Sequence, residues 1–185
     1  MQVFGSLTSP YVRHVRIVIL QTGSSAEFVE ADAAQSALDS PTKKVPYLRD
    51  GDIVLSDSSS IIKYLREKSG QPFIPATKDY DLFCLINTLM DSAINLFLLE
   101  RSGLNTCENG YLKRQATRVK EGIEYLSSLA PNILTHDDDV HLRLLCFLAW
   151  GQFRNRFSLD GHDKLQMLLD QGDKNVLFLQ TRPPA

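Results

Sequence analysis

Cysteine is scarce in this chain of 185 residues: Cys84, Cys107 and Cys146 are odd in number, far apart and never spaced C-x-x-C. That excludes a disulfide framework and a thiolate zinc site, and it suits reducing surroundings. An excess of either charge is also missing. Twenty Lys and Arg stand against 22 Asp and Glu, a net charge of −2, so no bulk field draws the chain to nucleic acid or to an anionic membrane. Any partner must be recognised locally. The amino terminus lacks a long apolar run, because Arg13, His14 and Arg16 interrupt "MQVFGSLTSPYVRHVRIVIL". This argues against a signal peptide and a membrane span there, and makes the cytoplasm the default location. There is no internal repeat or low-complexity tract. What is present is 43% apolar residues, enough for a real core in one domain or in two small ones that share an interface.

The first part of the chain reads as alternating strands and helices. "QVFGS" alternates as a short strand, and the loop "LTSP" leads to a helix whose apolar face is Val12, Val15, Ile19 and Leu20, ended by Gly23. "AEFVEAD" is a second strand, and "QSALDSPT" a short polar helix or irregular segment leading to Lys43 and Lys44. "VPYLRDGDIVLSD" predicts a hairpin around Asp50-Gly51. "SSSIIKYLREKSG" predicts a helix behind a Ser/Asp cap, with Ile61, Ile62 and Leu65 at helical spacing and Gly70 as its stop. "QPFIPATKD" has two prolines and reads as a linker.

Beyond Asp79 strand signals almost vanish, and "YDLFCLINTLMDSAINLFLLERSG", "YLKRQATRVKEGIEYLSSLA", "DVHLRLLCFLAWGQFRNRF" and "HDKLQMLLDQG" carry long helical patterns. The expected organisation is an α+β domain of order βαβ-ββα over residues 1–75, followed by an all-α helical bundle over 79–185. Phe147, Trp150 and Phe153 are expected as core aromatics of the second domain. In "THDDDVH" the pair His136 and His141 with three acids invites a metal reading, but a helix-opening acidic run accounts for it better, so no metal is expected.

Three segments together resemble the glutathione S-transferases: "TSPYVRHVRIVI", "KVPYL" and "LSDSSSIIKYL", in that order and with the flanking strands in register. The likeness is strongest over the first 75 or so residues and continues through Asp91 and Arg114-Gln115 to the terminal "RPPA". The resemblance is to a short bacterial-type member with a serine at the activating position. It implies a thioredoxin-like amino-terminal domain joined to a helical domain, and a homodimer that detoxifies small electrophiles. Glutathione would be the co-substrate, with no tightly bound cofactor and no nucleic-acid or membrane partner. In the rival reading the fold serves as a non-catalytic adaptor.

A thiol of pKa near 8.5 is only a few per cent thiolate at neutral pH, and the thiolate is the nucleophile. Ser9 stands at a helix N-cap with Pro10 at the first helical position, where its missing N–H costs nothing. In a glutathione transferase a hydroxyl there donates to sulfur while the helix dipole adds positive potential. Lowering the thiol pKa by two units requires roughly 2.7 kcal/mol, within reach of one charged hydrogen bond plus a helix terminus. Ser6 and Thr8 offer competing hydroxyls, and Ser9 as a simple cap is the plain alternative.

By the same resemblance the peptide bond before Pro46 is cis, and Val45 presents its N–H and C=O to the cysteinyl unit of glutathione as a miniature strand addition. Ser58, with the first free N–H groups of its helix, would receive the γ-glutamyl carboxylate, and Asp57 would face the ammonium. A cap and a dipole-complementing acid satisfy the same residues without a ligand. Lys44 is the candidate for the glycyl carboxylate. The counterpart of Asp91 reaches across a dimer interface in the family, although a mid-helix acid is commonly solvent-facing. Two departures stand out. "SPTKKVP" lacks the glycine of the family's Asn-Pro-x-Gly-Lys, and at the helix opened by Asp138 the usual buried Asp is replaced by His141.

Overall fold

The computed structural model describes residues 1–129 and 138–184. Two compact units divide them, one made of Met1–Pro75 with the terminal segment from Asp173, the other of Ala76–Gly172. The first unit is thioredoxin-like. Strand β1 (Gln2–Gly5) is followed by helix α1 (Pro10–Thr22), β2 (Glu27–Glu30), α2 (Ala33–Asp39), β3 (Tyr47–Asp50), β4 (Ile53–Leu55) and α3 (Ser58–Lys68). The sheet order is β2-β1-β3-β4. Only β1 and β2 run parallel, Val3 pairing with Phe28, and a parallel pair requires the crossover that α1 supplies. β3 and β4 close as an antiparallel hairpin with Asp50 opposite Ile53. Gly51 takes the first central position of its turn at φ 59°, a conformation that favours glycine.

The core of this unit joins Val3 and Leu48 of the sheet to Val15 and Val18 of α1 and Ile61, Ile62 and Leu65 of α3. α1 lies so close to β1 that a Cβ on Gly5 would come within 2.6 Å of Val12. Its buried face is wider than the apolar pattern predicts. Val12, Val15, Ile17 and Val18 are buried, and so are Arg13 and His14. Leu20, expected on that face, is 45% exposed, because it lies one turn beyond half-buried Arg16 on the side away from the core. Gly23 ends the helix at φ 61°, its N–H donating to the Ile19 carbonyl.

The second unit is helical among its described residues: α4 (Thr77–Arg101), α5 (Gly110–Ser128), α6 (Asp139–Phe153) and α7 (Asp163–Gly172). α4 packs along α5 and α6, with Phe83, Ile86, Met90, Leu144, Phe147, Leu148 and Leu165 fully buried. By length and composition α4 also suffices to cross a membrane, a property that the core helix of a bundle shares. Trp150 is buried and edge-on to Phe97. Phe153 departs from the expected core set: it closes α6 at 39% exposure, with the Arg154 guanidinium 4.4 Å from its ring.

The terminal segment contains a short helix that the periodicity did not announce, α8 (Val176–Gln180). It clusters with the first unit, whereas the sequence boundaries place everything after residue 79 in one helical domain. The physical reason lies in α1. Arg13 Nη2 donates to the Phe178 carbonyl at 2.7 Å, and Arg16 Nη1 donates to the Thr181 carbonyl at 3.2 Å.

Candidate functional site

The strand registers gather most of the nominated residues at one end of the sheet in the first unit. Phe4 pairs with Tyr47, and Leu48 with Leu55. The loop leaving β1, the Val45–Pro46 segment entering β3 and the Ser56–Ser58 segment leaving β4 are therefore neighbours. The helices that follow β1 and β4 both begin at this end, so two helix N-termini with their positive potential converge there.

At the start of α1, Ser9 is the N-cap in an extended conformation, φ −81° and ψ 128°, with Pro10 in the first turn. Its Oγ accepts from the Val12 N–H at 3.4 Å, the long limit of a cap bond. A hydroxyl oxygen that accepts in this way keeps its own hydrogen to donate. The two competing hydroxyls engage each other: Ser6 Oγ and Thr8 Oγ1 are 3.2 Å apart, and Ser6 Oγ accepts the Thr8 N–H at 3.4 Å. The Ser9 N–H donates to the Ser6 carbonyl at 3.1 Å, which folds the loop back on the end of β1.

The Val45–Pro46 bond is cis. Pro46 and Tyr47 are buried while Val45 is half-buried. Tyr47 stacks on Phe4 with ring centroids 4.5 Å apart, and burial, aided by the Asp39 charge, raises its phenol above the usual range. Lys44 is exposed. The missing glycine leaves a visible trace, since Lys43 takes φ 56°, a left-handed conformation costly for a side chain with a Cβ. Lys43 Nζ donates to the Ala37 carbonyl at 3.1 Å, and Thr42 Oγ1 reaches the Ser56 carbonyl at 3.4 Å, tying this loop to the end of β4.

At the start of α3, Asp57 is the N-cap, and its Oδ1 accepts from the Ser59 N–H at 2.8 Å and the Ser60 N–H at 3.3 Å. The Asp57 carboxylate thus takes the Ser59 and Ser60 N–H groups, as the cap reading of these residues expects. Both bonds end on one carboxylate oxygen. Asp57 is exposed, whereas Ser58 is 6% exposed.

Asp91 is exposed partway along α4 in the second unit. At α6 the acidic run does cap the helix: Asp138 accepts the His141 N–H at 2.9 Å. The first turn buries Asp139 at 4% exposure together with Val140 and Leu142, whereas His141 is only half-buried. The expected burial of His141 is therefore not met, and the buried acid of this turn, Asp139, lies two residues earlier at the positive end of the helix. His136 lies outside the described residues, and among the described ones no group of three or more His, Cys, Asp or Glu is placed to hold a metal ion. The second unit also has a partly open groove of about 370 Å³ lined by Leu96, Val119, Ile123 and Phe157. Neither it nor the open groove between α4 and α5 is lined by a nominated residue.

Sequence reasoning missed Arg13. Its side chain is 4% exposed, and the guanidinium carbon sits 3.5 Å from the Phe178 ring centroid. The available signal was a charged residue within the apolar stripe of "YVRHVRIVI". Nothing local said what would cover it.

Residues 3–73 match the family of glutathione S-transferase N-terminal domains. No curated protein matches the chain. Among solved structures, a glutathione transferase family member from Pseudomonas fluorescens Pf-5 with bound glutathione is similar at 25% identity and a TM-score of 0.88, over 100% of this chain and 99% of that one. A glutathione S-transferase from Methylobacillus flagellatus with glutathione bound is 19% identical with a TM-score of 0.86, over 99% of each chain.

Proposed function

We propose, from the match of residues 3–73 to glutathione S-transferase N-terminal domains, that this protein binds glutathione and activates its thiol for attack on a small electrophilic carbon. The observation that carries the reading is the convergence at one end of the sheet of the Ser9 cap, the cis Val45–Pro46 segment and the Asp57–Ser58 start of α3. Bound glutathione in the similar structure from Pseudomonas fluorescens supports the choice of ligand.

In this reading Ser9 donates its hydroxyl hydrogen to the thiolate, and the α1 terminus adds positive potential. Thr8 and Ser6 are less suited because their oxygens are already turned toward each other. The backbone of Val45 pairs with the cysteinyl unit, Lys44 neutralises the glycyl carboxylate, Ser58 receives the γ-glutamyl carboxylate, and the second oxygen of Asp57 meets the ammonium. The enzyme supplies positioning and anion stabilisation, and glutathione supplies the nucleophile. The assembly proposed is a cytoplasmic homodimer, in which exposed Asp91 reaches toward the neighbouring subunit's glutathione.

Calorimetry with glutathione on wild type and Ser9→Ala, paired with conjugation of a generic aryl halide, tests this. Binding retained with turnover reduced about a hundredfold in Ser9→Ala supports the assignment. Wild-type binding without turnover would instead favour the adaptor, and no binding in either protein removes the enzyme reading.

A further inference from the structure

We propose that Arg13 and helix α8 form a strap that holds the Ser9 end of α1 in place, which makes Arg13 a positioning residue for the glutathione thiol. This rests on the function proposed above. The first turn of α1 has one long cap bond of its own, Val12 N–H to Ser9 Oγ at 3.4 Å. The Arg13 N–H closes the first helical ring on the Ser9 carbonyl at 3.0 Å, so Arg13 supplies the shorter of the two bonds that fasten Ser9 to the helix. The same side chain reaches away to the terminal segment. Nη2 donates to the Phe178 carbonyl at 2.7 Å, and the guanidinium lies 3.5 Å from the Phe178 ring centroid, a stacked arrangement in which Arg and Lys are not interchangeable.

The segment that receives Arg13 is itself fixed. Asn175 caps α8 by accepting the Leu177 and Phe178 N–H groups. Thr181, 1% exposed, donates its hydroxyl to the Leu177 carbonyl at 2.9 Å, Arg16 donates to its carbonyl at 3.2 Å, and Arg182 pairs with Asp173 at 2.8 Å. Val12 meanwhile packs onto Gly5 with no space for a Cβ. The start of α1 is therefore wedged between β1 and α8. A guanidinium this buried is costly to leave without its acceptor, so release of α8 and displacement of the Ser9 turn are coupled. A hydrogen bond aimed at sulfur is sensitive to sub-ångström placement, which is how a residue one turn away would set the thiol pKa.

The test uses Arg13→Lys, which keeps the charge and loses the planar fork, and Phe178→Leu, which keeps the accepting carbonyl and loses the ring, so a folding failure of either leaves the other to decide. The readings are the ultraviolet thiolate band of bound glutathione against pH, kcat and KM for glutathione, and amide exchange over residues 10–13. Expected are faster exchange in that turn, a bound-thiol pKa raised by about half a unit or more, and kcat lowered about tenfold with KM changed less than about threefold. Unchanged exchange overturns the strap, and faster exchange with an unmoved thiol pKa overturns the positioning role. A wild type that binds no glutathione removes the proposed function and this inference together, whereas normal wild-type binding with unmoved variants removes the inference alone.

Discussion

The two ends of the sheet in the first unit are built on opposite plans. At the end where β1 starts and β3 finishes, Asp50 gathers Tyr64 Oη at 2.6 Å, the Met1 ammonium at 3.8 Å and Lys68 Nζ. Lys68 and then Tyr64 hold the Asp50 carboxyl below its usual range, and Asp50 and then Tyr64 raise the Lys68 ammonium. That end joins the chain terminus, the hairpin and the last turn of α3 around one acid. At the opposite end the caps are local, Ser9 accepting from Val12, Asp57 from Ser59 and Ser60, and Ser6 from Thr8, and the Thr42 bond to the Ser56 carbonyl is a long 3.4 Å. One end gathers distant parts of the chain around a single acid, and the other holds its helix starts by short-range caps, which in the proposed function face glutathione.

The sharpest way to break this comparison is to delete each cap at the open end. Ser9→Ala should leave the melting temperature almost unchanged, because it removes one long bond, while turnover falls about a hundredfold. Asp57→Ala removes two bonds, one of them 2.8 Å, and should cost about 1 kcal/mol in denaturant melts and weaken glutathione binding about tenfold by calorimetry. If Ser9→Ala proved the more destabilising of the two, the open end would be a structural cap and the contrast would disappear.

A smaller effect is expected in the loop between the two caps. Lys43→Gly relieves a left-handed residue, worth about 1–2 kcal/mol, against the extra unfolded-state freedom of glycine, about 0.5–1 kcal/mol. Stabilisation of about 0.5 kcal/mol in guanidinium chloride midpoints is the outcome; destabilisation would mean that the Nζ bond to Ala37 outweighs the backbone. Smallest, since both groups reach solvent, is the contribution of the fastened end. The Asp50 carboxyl is depressed from its usual 3.8, so its contribution is complete above that value and fades as pH falls through the lower folded-state pKa. The Lys68 ammonium is raised from its usual 10.5, so its contribution is complete below that value and is lost as pH rises through the higher one. Thermal melts of wild type and Asp50→Asn should differ by a constant amount between those limits and converge in stronger acid; a difference that persists there would assign the effect to something other than this ionisation.

Much of this was legible locally. The Ser9-Pro10 cap, the Asp50-Gly51 hairpin, the Asp57 cap and the Gly23 stop each depend on residues only a few positions apart, which is the range over which backbone sterics and cap chemistry act. The prolines of "QPFIPATKD" mark only its first part as irregular, since α4 already begins at Thr77. Leu20 and Phe153 were misread because apolar character marks a helix face only when something lies against it. Helix α8 escaped because five residues are too short to establish a period.

The chain's own order of strands, caps and turns determined that a thioredoxin-like unit forms and that two capped helices begin beside a Val-Pro segment, since neighbours along the backbone settle those geometries. Only the tertiary structure decided that Arg13 turns inward and that the terminal segment joins the first unit. The partner that makes burying that guanidinium tolerable is Phe178, 165 residues away, and a contact at such separation is decided by folding in three dimensions.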